Sequence, residues 1–440
     1  MRPDFGMTRS LGVVLTFLLA LAILPGCGES ADRPTASDPP WQTRQSDLAR
    51  DLSPAATAED IDQLVAGNHK LAIDFYQALR ALDGNLCLSP FSIRIAFAMA
   101  YAGATGRTAQ EIAEVMHYGL DDETLHDAFN ALDLDLEKRN MPGDAENDPV
   151  ELHVANAFWG KINRPFIEEY LDLLAVHYGS GVRLLDFGRE PETCRRIINE
   201  WVADETRDRI LDLLPEGSIQ PPTVAVLTNA LYFKAPWALP FQEDQTHEGV
   251  FFCLDGSHAG APMMQQAETF GYAESDGYQA LEMNYRNDEL SMVFLLPSAG
   301  RFEEFEASLD SGVLAGILED LDPASVAVTL PRFSFESPSL SLKDVLMGMG
   351  MVAPFTTPDF AGMIEGGGIW IDNAYHKTFI ALDEKGTEAA AATAIVFFES
   401  AIEPPVAEFE FTADRPFVFL IRDRVTGTIL FVGRVLDPSS

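Results

Sequence analysis

The chain has 440 residues, 47% of them hydrophobic, enough to build one large globular domain or two smaller ones, and disorder throughout is excluded. It carries 68 acidic against 30 basic residues, a formal net charge of −38 at pH 7. Nucleic acid, heparin-like polyanions and anionic lipid headgroups are poor partners for such a surface.

In chain order, the first element is an export signal. Arg2 and Arg9 precede an apolar run from Leu11 to Leu24, which ends at Pro25-Gly26-Cys27. Residues 1–26 read as a leader, and Leu24-Pro25-Gly26-Cys27 resembles a bacterial lipobox, making Cys27 the expected lipidation site. An ordinary cleaved signal is the alternative, so the expected location is extracytoplasmic, either anchored by lipid or secreted. Residues 27–58 are rich in Pro, Ser, Asp and Arg without hydrophobic periodicity, and read as a disordered tether. Cysteines at 27, 87, 194 and 253 have no CxxC spacing, so neither a disulfide framework nor a metal site is indicated. Buried free thiols are expected, with a Cys194 to Cys253 bridge as the alternative.

Apolar residues recur at helical spacing from Ala58 to Leu82. Ser89-Pro90 opens a second helix with proline at its first position, and its face through Ile93, Ala96, Phe97 and Ala100 is apolar enough to be buried. Helical patterns follow at 108–116, 121–137, 164–177 and 192–214. Strand signals then dominate, at 224–233, 249–252, 290–296, 326–331, 375–382, 417–422 and 429–434. Helices first and mostly antiparallel strands later indicate an α+β domain over 59–440.

Catalytic signatures are missing from the sequence. None of the eight histidines forms an HExxH pair, and neither a G-x-S-x-G elbow nor a P-loop occurs. Catalysis by the chain itself is not expected, nor is a cofactor. One tract raises a different question: Asp383 to Pro405, "DEKGTEAAAATAIVFFESAIEPP", is small and nearly uncharged in an acidic chain. Propensity alone makes Glu388 to Ala394 a surface helix, and composition allows a linker. The apolar run Ile395 to Phe398 argues against both. A segment exposed first and a strand later is the third reading.

Four stretches carry a resemblance: "NLCLSPFSIRIAFAMAYAGATGRTAQEI" at 85–112, "TNALYFKAPWALPF" at 228–241, "AYHKTFIALDEKGTEAAAATA" at 374–394 and "FTADRPFVFLIRDRVTGTILFVGRV" at 411–435. In this order they resemble the serpins, the serine protease inhibitors. The resemblance implies a helical bundle packed on three mainly antiparallel β-sheets, with an exposed reactive-centre loop at about 384–405. It also implies a suicide inhibitor of serine proteases, and of cysteine proteases as further targets, in which the cut loop inserts into the central sheet. A non-inhibitory ligand carrier or folding assistant is the alternative.

The family's functional positions map onto this chain one by one. Glu384, Gly386, Thr387, Glu388, Ala389, Ala390, Ala391 and Ala392 match the hinge from which insertion starts. Ser89, Ser92, Asn229 and His376 match the shutter through which the sheet opens, although His376 also reads as a hydrogen-bonded core histidine. Trp237 matches the breach tryptophan at the entry point. Counting along the loop sets the scissile bond at Ser400 and Ala401, with Glu399 and Ser400 as the alternative bond. Strand alternation places Thr387 on a face that can be buried and Glu388 on one that can stay in water. The acidic helix at 121–137 departs from members that bind heparin, so heparin activation is not expected. A monomer is expected.

Overall fold

The computed structural model describes residues 39–144, 148–388 and 407–440. Cys27, the hinge residues Ala389, Ala390, Ala391 and Ala392, and Glu399, Ser400 and Ala401 lie outside the described residues.

Thr57 opens the first helix, Ala58–Leu79, through a capping box in which its hydroxyl accepts from the Asp60 N–H and the Asp60 carboxylate accepts from the Thr57 N–H. The next helix, Pro90–Tyr101, is buried from Pro90 to Ala100 and so runs through the interior. Ser89 caps it, and Pro90 occupies a position whose missing N–H has no helical partner to lose. The helix expected over 192–214 stops earlier, at Pro191–Glu205, because Arg207 and Asp208 turn into the left-handed region. The strand expected over 375–382 is two strands, Ile371–His376 and Phe379–Leu382. Between them Thr378 leaves the ladder: its N–H donates to Ser337 Oγ and its hydroxyl to the Cys87 carbonyl.

The stretch read as a tether is partly strand. Gln42–Arg44 pairs antiparallel with Val182–Leu185, adding an edge strand to the first sheet. Trp41 meets Trp159 edge-on at 5.5 Å, and the Arg50 guanidinium reaches Asn130 Oδ1 at 2.8 Å and Asp133 Oδ2 at 2.6 Å. An edge strand held by one tryptophan and one arginine needs no hydrophobic period, which is why composition hid it.

Among the described residues the strands join into two hydrogen-bonded sets. In the second, the 18-residue strand His258–Ser275 pairs with His247–Phe252 along its first part, with Tyr278–Asn284 along its last, and with Asp322–Pro331. One long strand thus bridges layers that the resemblance counts separately. The hairpin Phe417–Asp423 and Ile429–Val435 is buried along both strands except at Arg422.

In the first set the central strand is Ala225–Pro236. One edge pairs antiparallel with Glu151–Lys161 over residues 225–234. Its other edge changes partner along its length. Residues 225–229 pair parallel with Ile371–His376, whereas Ala235 and Pro236 pair antiparallel with the two-residue bridge Gly386–Thr387. Thr387 also pairs with Leu382 on the far side, so the bridge is wedged between two strands. Among the described residues, no ladder closes residues 230–234 on that edge.

Candidate functional site

The hinge is held by its backbone before its side chains act. Asp383 closes a turn in which its N–H donates to the Gly386 carbonyl while its carboxylate accepts from Lys385 and Gly386. A Cβ on Gly386 would fall on the Ala235 carbonyl, so only glycine lets this turn dock against the central strand. Thr387 follows into the sheet, buried, with Oγ1 2.6 Å from Tyr285 Oη. The Tyr285 ring stacks on Trp237, centroids 4.6 Å apart and planes 3° from parallel.

Trp237 touches the hinge directly. Its backbone N–H donates to the Lys385 carbonyl and its indole N–H to that of Asp383. The residue matched to the breach is therefore both a core aromatic and a hinge partner. Glu384 is tied on its other side: its carboxylate accepts from Thr246 Oγ1 at 2.8 Å and faces Arg332 at 3.4 Å.

Glu388 corrects an expectation. The alternation argument left it in water, but it is only 7% exposed and its carboxylate lies 2.6 Å from Arg209 Nε. Its backbone enters the left-handed region at φ 51°, and its N–H donates to the Ala381 carbonyl. Burial pushes its carboxyl pKa up, against the pull of the Arg209 guanidinium.

The four shutter residues come together, and a fifth joins them. The Ser89 N–H donates to His376 Nε2 at 3.0 Å. That bond makes Nε2 the acceptor, so Nδ1 carries the proton and donates to Asn229 Oδ1 at 2.6 Å. Asn229 Nδ2 donates to Asn156 Oδ1 at 2.6 Å and contacts Ser92 Oγ. Asn156 returns a bond to the Ser92 carbonyl at 2.9 Å. Sequence reasoning missed Asn156, although an amide inside the apolar run Val154 to Gly160 is a signal. It also missed Tyr285, Arg209, Arg332 and Thr246, which no local pattern connects to the hinge. His376 is fully buried, and desolvation pulls its pKa down to about 4.

The cluster fastens the second helix to three strands, and the hinge wedges the same sheet further along. The polar cluster thus ties helix and strands together at one end of the central strand, and Gly386–Thr387 lies between two strands at the other. Cys87 and Cys194 are buried free thiols and Cys253 is a partly exposed one, so the alternative Cys194 to Cys253 bridge is not formed. Burial pushes the Cys87 thiol up to about 12, which leaves it inert.

An open edge in the central sheet, a two-residue wedge at that opening and a polar cluster beyond it place the molecule in a class of α+β proteins built on helices packed against large sheets. Residues 66–438 match the family model Serpin (serine protease inhibitor), and the chain belongs to that family. An uncharacterised serpin-like protein of Thermococcus kodakarensis is 38% identical, covering 97% of this chain and 98% of that protein. The human leukocyte elastase inhibitor is 35% identical, over 86% of this chain and all of that protein. Among solved structures, human thyroxine-binding globulin with bound hormone superposes with a TM-score of 0.76 at 27% identity, covering 87% of this chain and all of that one. The family thus holds members named as protease inhibitors and one named for a hormone it binds, and serine proteases are its general partner class.

Proposed function

We propose that this chain is an irreversible suicide inhibitor of serine proteases of elastase-like or chymotrypsin-like specificity. The observation that carries the reading is Thr387, already seated between the central strand and Phe379–Leu382 at the head of an unclosed edge. Continuing that antiparallel register would place Ala389 opposite Phe233, Ala391 opposite Leu231 and Thr393 opposite Asn229. Each residue entering that face is small and uncharged, so insertion pays little desolvation until it reaches the shutter.

The protease's serine attacks the carbonyl of Ser400, forming an acyl ester and releasing the amine of Ala401. With Glu399 as the acylated residue the chemistry is the same and the bond shifts by one. Insertion of about fourteen strand residues at roughly 3.3 Å each would then carry the protease some 45 Å from where it docked. Distortion of its catalytic centre leaves the ester unhydrolysed. The leader and the lipobox-like Leu24 to Cys27 support action outside the cytoplasm, from a lipid anchor or as a secreted chain.

A panel of elastase-, subtilisin- and chymotrypsin-like proteases tests this. The expected result is an SDS-resistant complex with at least one of them and release of a C-terminal fragment beginning at Ala401 or Ser400. Substitution Thr387→Arg should abolish the complex and leave a substrate that is simply cut, because a guanidinium would have to enter the Tyr285 site dry. Cleavage without complex formation across the whole panel would instead favour a carrier role.

A further inference from the structure

The helix Pro191–Glu205 shares a core cluster with the strand Glu151–Lys161, its Ile198, Trp201 and Val202 meeting Ala155, Ala157 and Trp159. Period-two alternation carries that face of the strand back to His153 and Glu151, where apolar packing gives way to charge. Two ion pairs pin the helix end there. Arg207 Nε lies 2.9 Å from Glu151 Oε2, and His153 Nε2 lies 2.7 Å from Glu205 Oε2. The first pin joins a guanidinium to a carboxylate; the second contains an imidazole, which changes charge near neutral pH and can be switched there.

The surroundings of His153 favour its charged form. Glu205 brings its carboxylate from the C-terminal end of its helix, where the backbone dipole adds to the attraction. Asp133 of the helix Asp122–Glu137 acts in the same sense and is itself held by Arg50. Arg207 acts against it, while Arg183, on the strand Val182–Leu185, lies near Glu205 and keeps that carboxyl low. Opposite His153 on the central strand stands Tyr232. The hydrogen bond to Glu205 dominates, and the imidazole pKa is raised above the ordinary 6.5 despite partial burial.

This pin reaches beyond its helix. A tight turn joins Glu205 to Arg209: the Asp208 N–H donates to the Ala203 carbonyl at 2.8 Å, the Arg209 N–H to the Thr206 carbonyl at 3.0 Å and the Ile210 N–H to Thr206 Oγ1 at 3.1 Å. From that turn the Arg209 guanidinium extends over the Phe379 ring, 5.4 Å from its centroid, to hold Glu388 of the hinge. A shift of the helix end therefore moves the cation that seats the hinge. We infer that His153 and Glu205 form a pH-operated latch: the imidazolium clamps the helix end and steadies Arg209 on Glu388, and the neutral ring loosens both. A basic group whose pKa is raised by folding contributes its full stability below the ordinary value, 6.5 here, and loses it as pH climbs through the folded one. The latch is thus shut on the acid side and opens on the alkaline side. That an open latch speeds protease trapping rests on the inhibitor reading given above.

Hydrogen exchange on the uncut chain, with no protease present, tests the latch once each rate is divided by the intrinsic rate at that pH. The amides to follow are Thr206, Asp208 and Glu388, each bonded in the fold. Their protection should fall about 3-fold between about pH 6 and about pH 9, the scale of a half-exposed ion pair. His153→Gln should remove this dependence and hold all three at the alkaline level. Glu205→Gln should do the same, and histidine NMR should find the His153 pKa back near the ordinary 6.5. An undiminished pH step in His153→Gln would overturn the latch. A step at Thr206 and Asp208 with none at Glu388 would overturn it as well, because helix and hinge would then move independently. Neither outcome touches the inhibitor reading, which is tested by trapping alone.

Discussion

His376 sits fully buried between a backbone donor and an amide oxygen, and the bond that its Nε2 accepts from the Ser89 N–H requires the neutral ring. Its pKa falls from the ordinary 6.5 to about 4 in the fold. A group that takes its proton more readily when unfolded costs stability as pH drops, so this contribution is flat above about 6.5 and declines between 6.5 and 4. The full loss is roughly 3 kcal/mol, from about 1.4 kcal/mol per pKa unit. Thermal melts of the uncut chain across that window should show the decline, and His376→Asn should flatten it. A slope identical in both proteins would place the titration elsewhere. At this scale the shutter was legible: Ser89, Ser92, Asn229 and His376 stand in quoted motifs and meet in space. Glu388 was not, because period-two alternation predicts a face but cannot reveal Arg209, 179 residues away in sequence. A second residue-scale expectation follows from that pair. Arg209→Ala would leave a nearly buried carboxylate without its cation, so the hinge should leave the sheet, and hydrogen exchange at Thr387 and Glu388 should speed up at least 10-fold.

Elements with a strong period were read closely, apart from the helix at 192–214, which ends at Glu205, and those defined by partners were not. The helix at 58–79 and the strands of the 417–435 hairpin carry their own signals of caps, periodicity and alternation. Gln42–Arg44 carries none: its three residues are exposed, and only the pairing with Val182–Leu185 makes them a strand. Contacts around Trp41 should contribute measurably. Its ring lies edge-on to Trp159, and the Arg183 guanidinium sits 5.8 Å from it and 4.5 Å from Trp201. Trp41→Ala should lower unfolding stability by about 2 kcal/mol, combining lost aromatic and cation–π contacts with uncovered surface. Urea denaturation checks this, and a midpoint unchanged by the substitution would show that the segment merely lies on the sheet. The bridge Gly386–Thr387 shows the same limit from the other side. A glycine followed by a small residue looked like a place to turn inward, yet its seating already inside the sheet depends on Trp237, Tyr285 and Ala235 together.

For the whole molecule, the proposed function requires an energy difference between the uncut and cut states. The edge of the central strand at residues 230–234 and the strand Phe379–Leu382 both stand ready for a partner that the hinge has only begun to supply. Filling the slot adds about a dozen backbone hydrogen bonds at roughly 0.5–1.5 kcal/mol net each, on the order of 10 kcal/mol before side chains are counted. Per-residue unfolding entropies put a domain of this size at little more than 1 °C per kcal/mol, so cleavage should raise the melting midpoint by at least about 10 °C. On the proposed function the uncut form would persist because the shutter must part before the strand can pass, so its lifetime would be set by a barrier rather than an equilibrium. Two measurements separate these terms. Nicking the loop with a protease that is not trapped should give the higher midpoint by calorimetry. Asn156→Ala, which removes an amide shared by Asn229 and Ser92, should shorten the half-life of the uncut chain at elevated temperature while leaving the midpoint of the nicked chain nearly where it was. If the nicked chain melts with the uncut one, the slot is not being filled, and the sheet is no reservoir for trapping a protease.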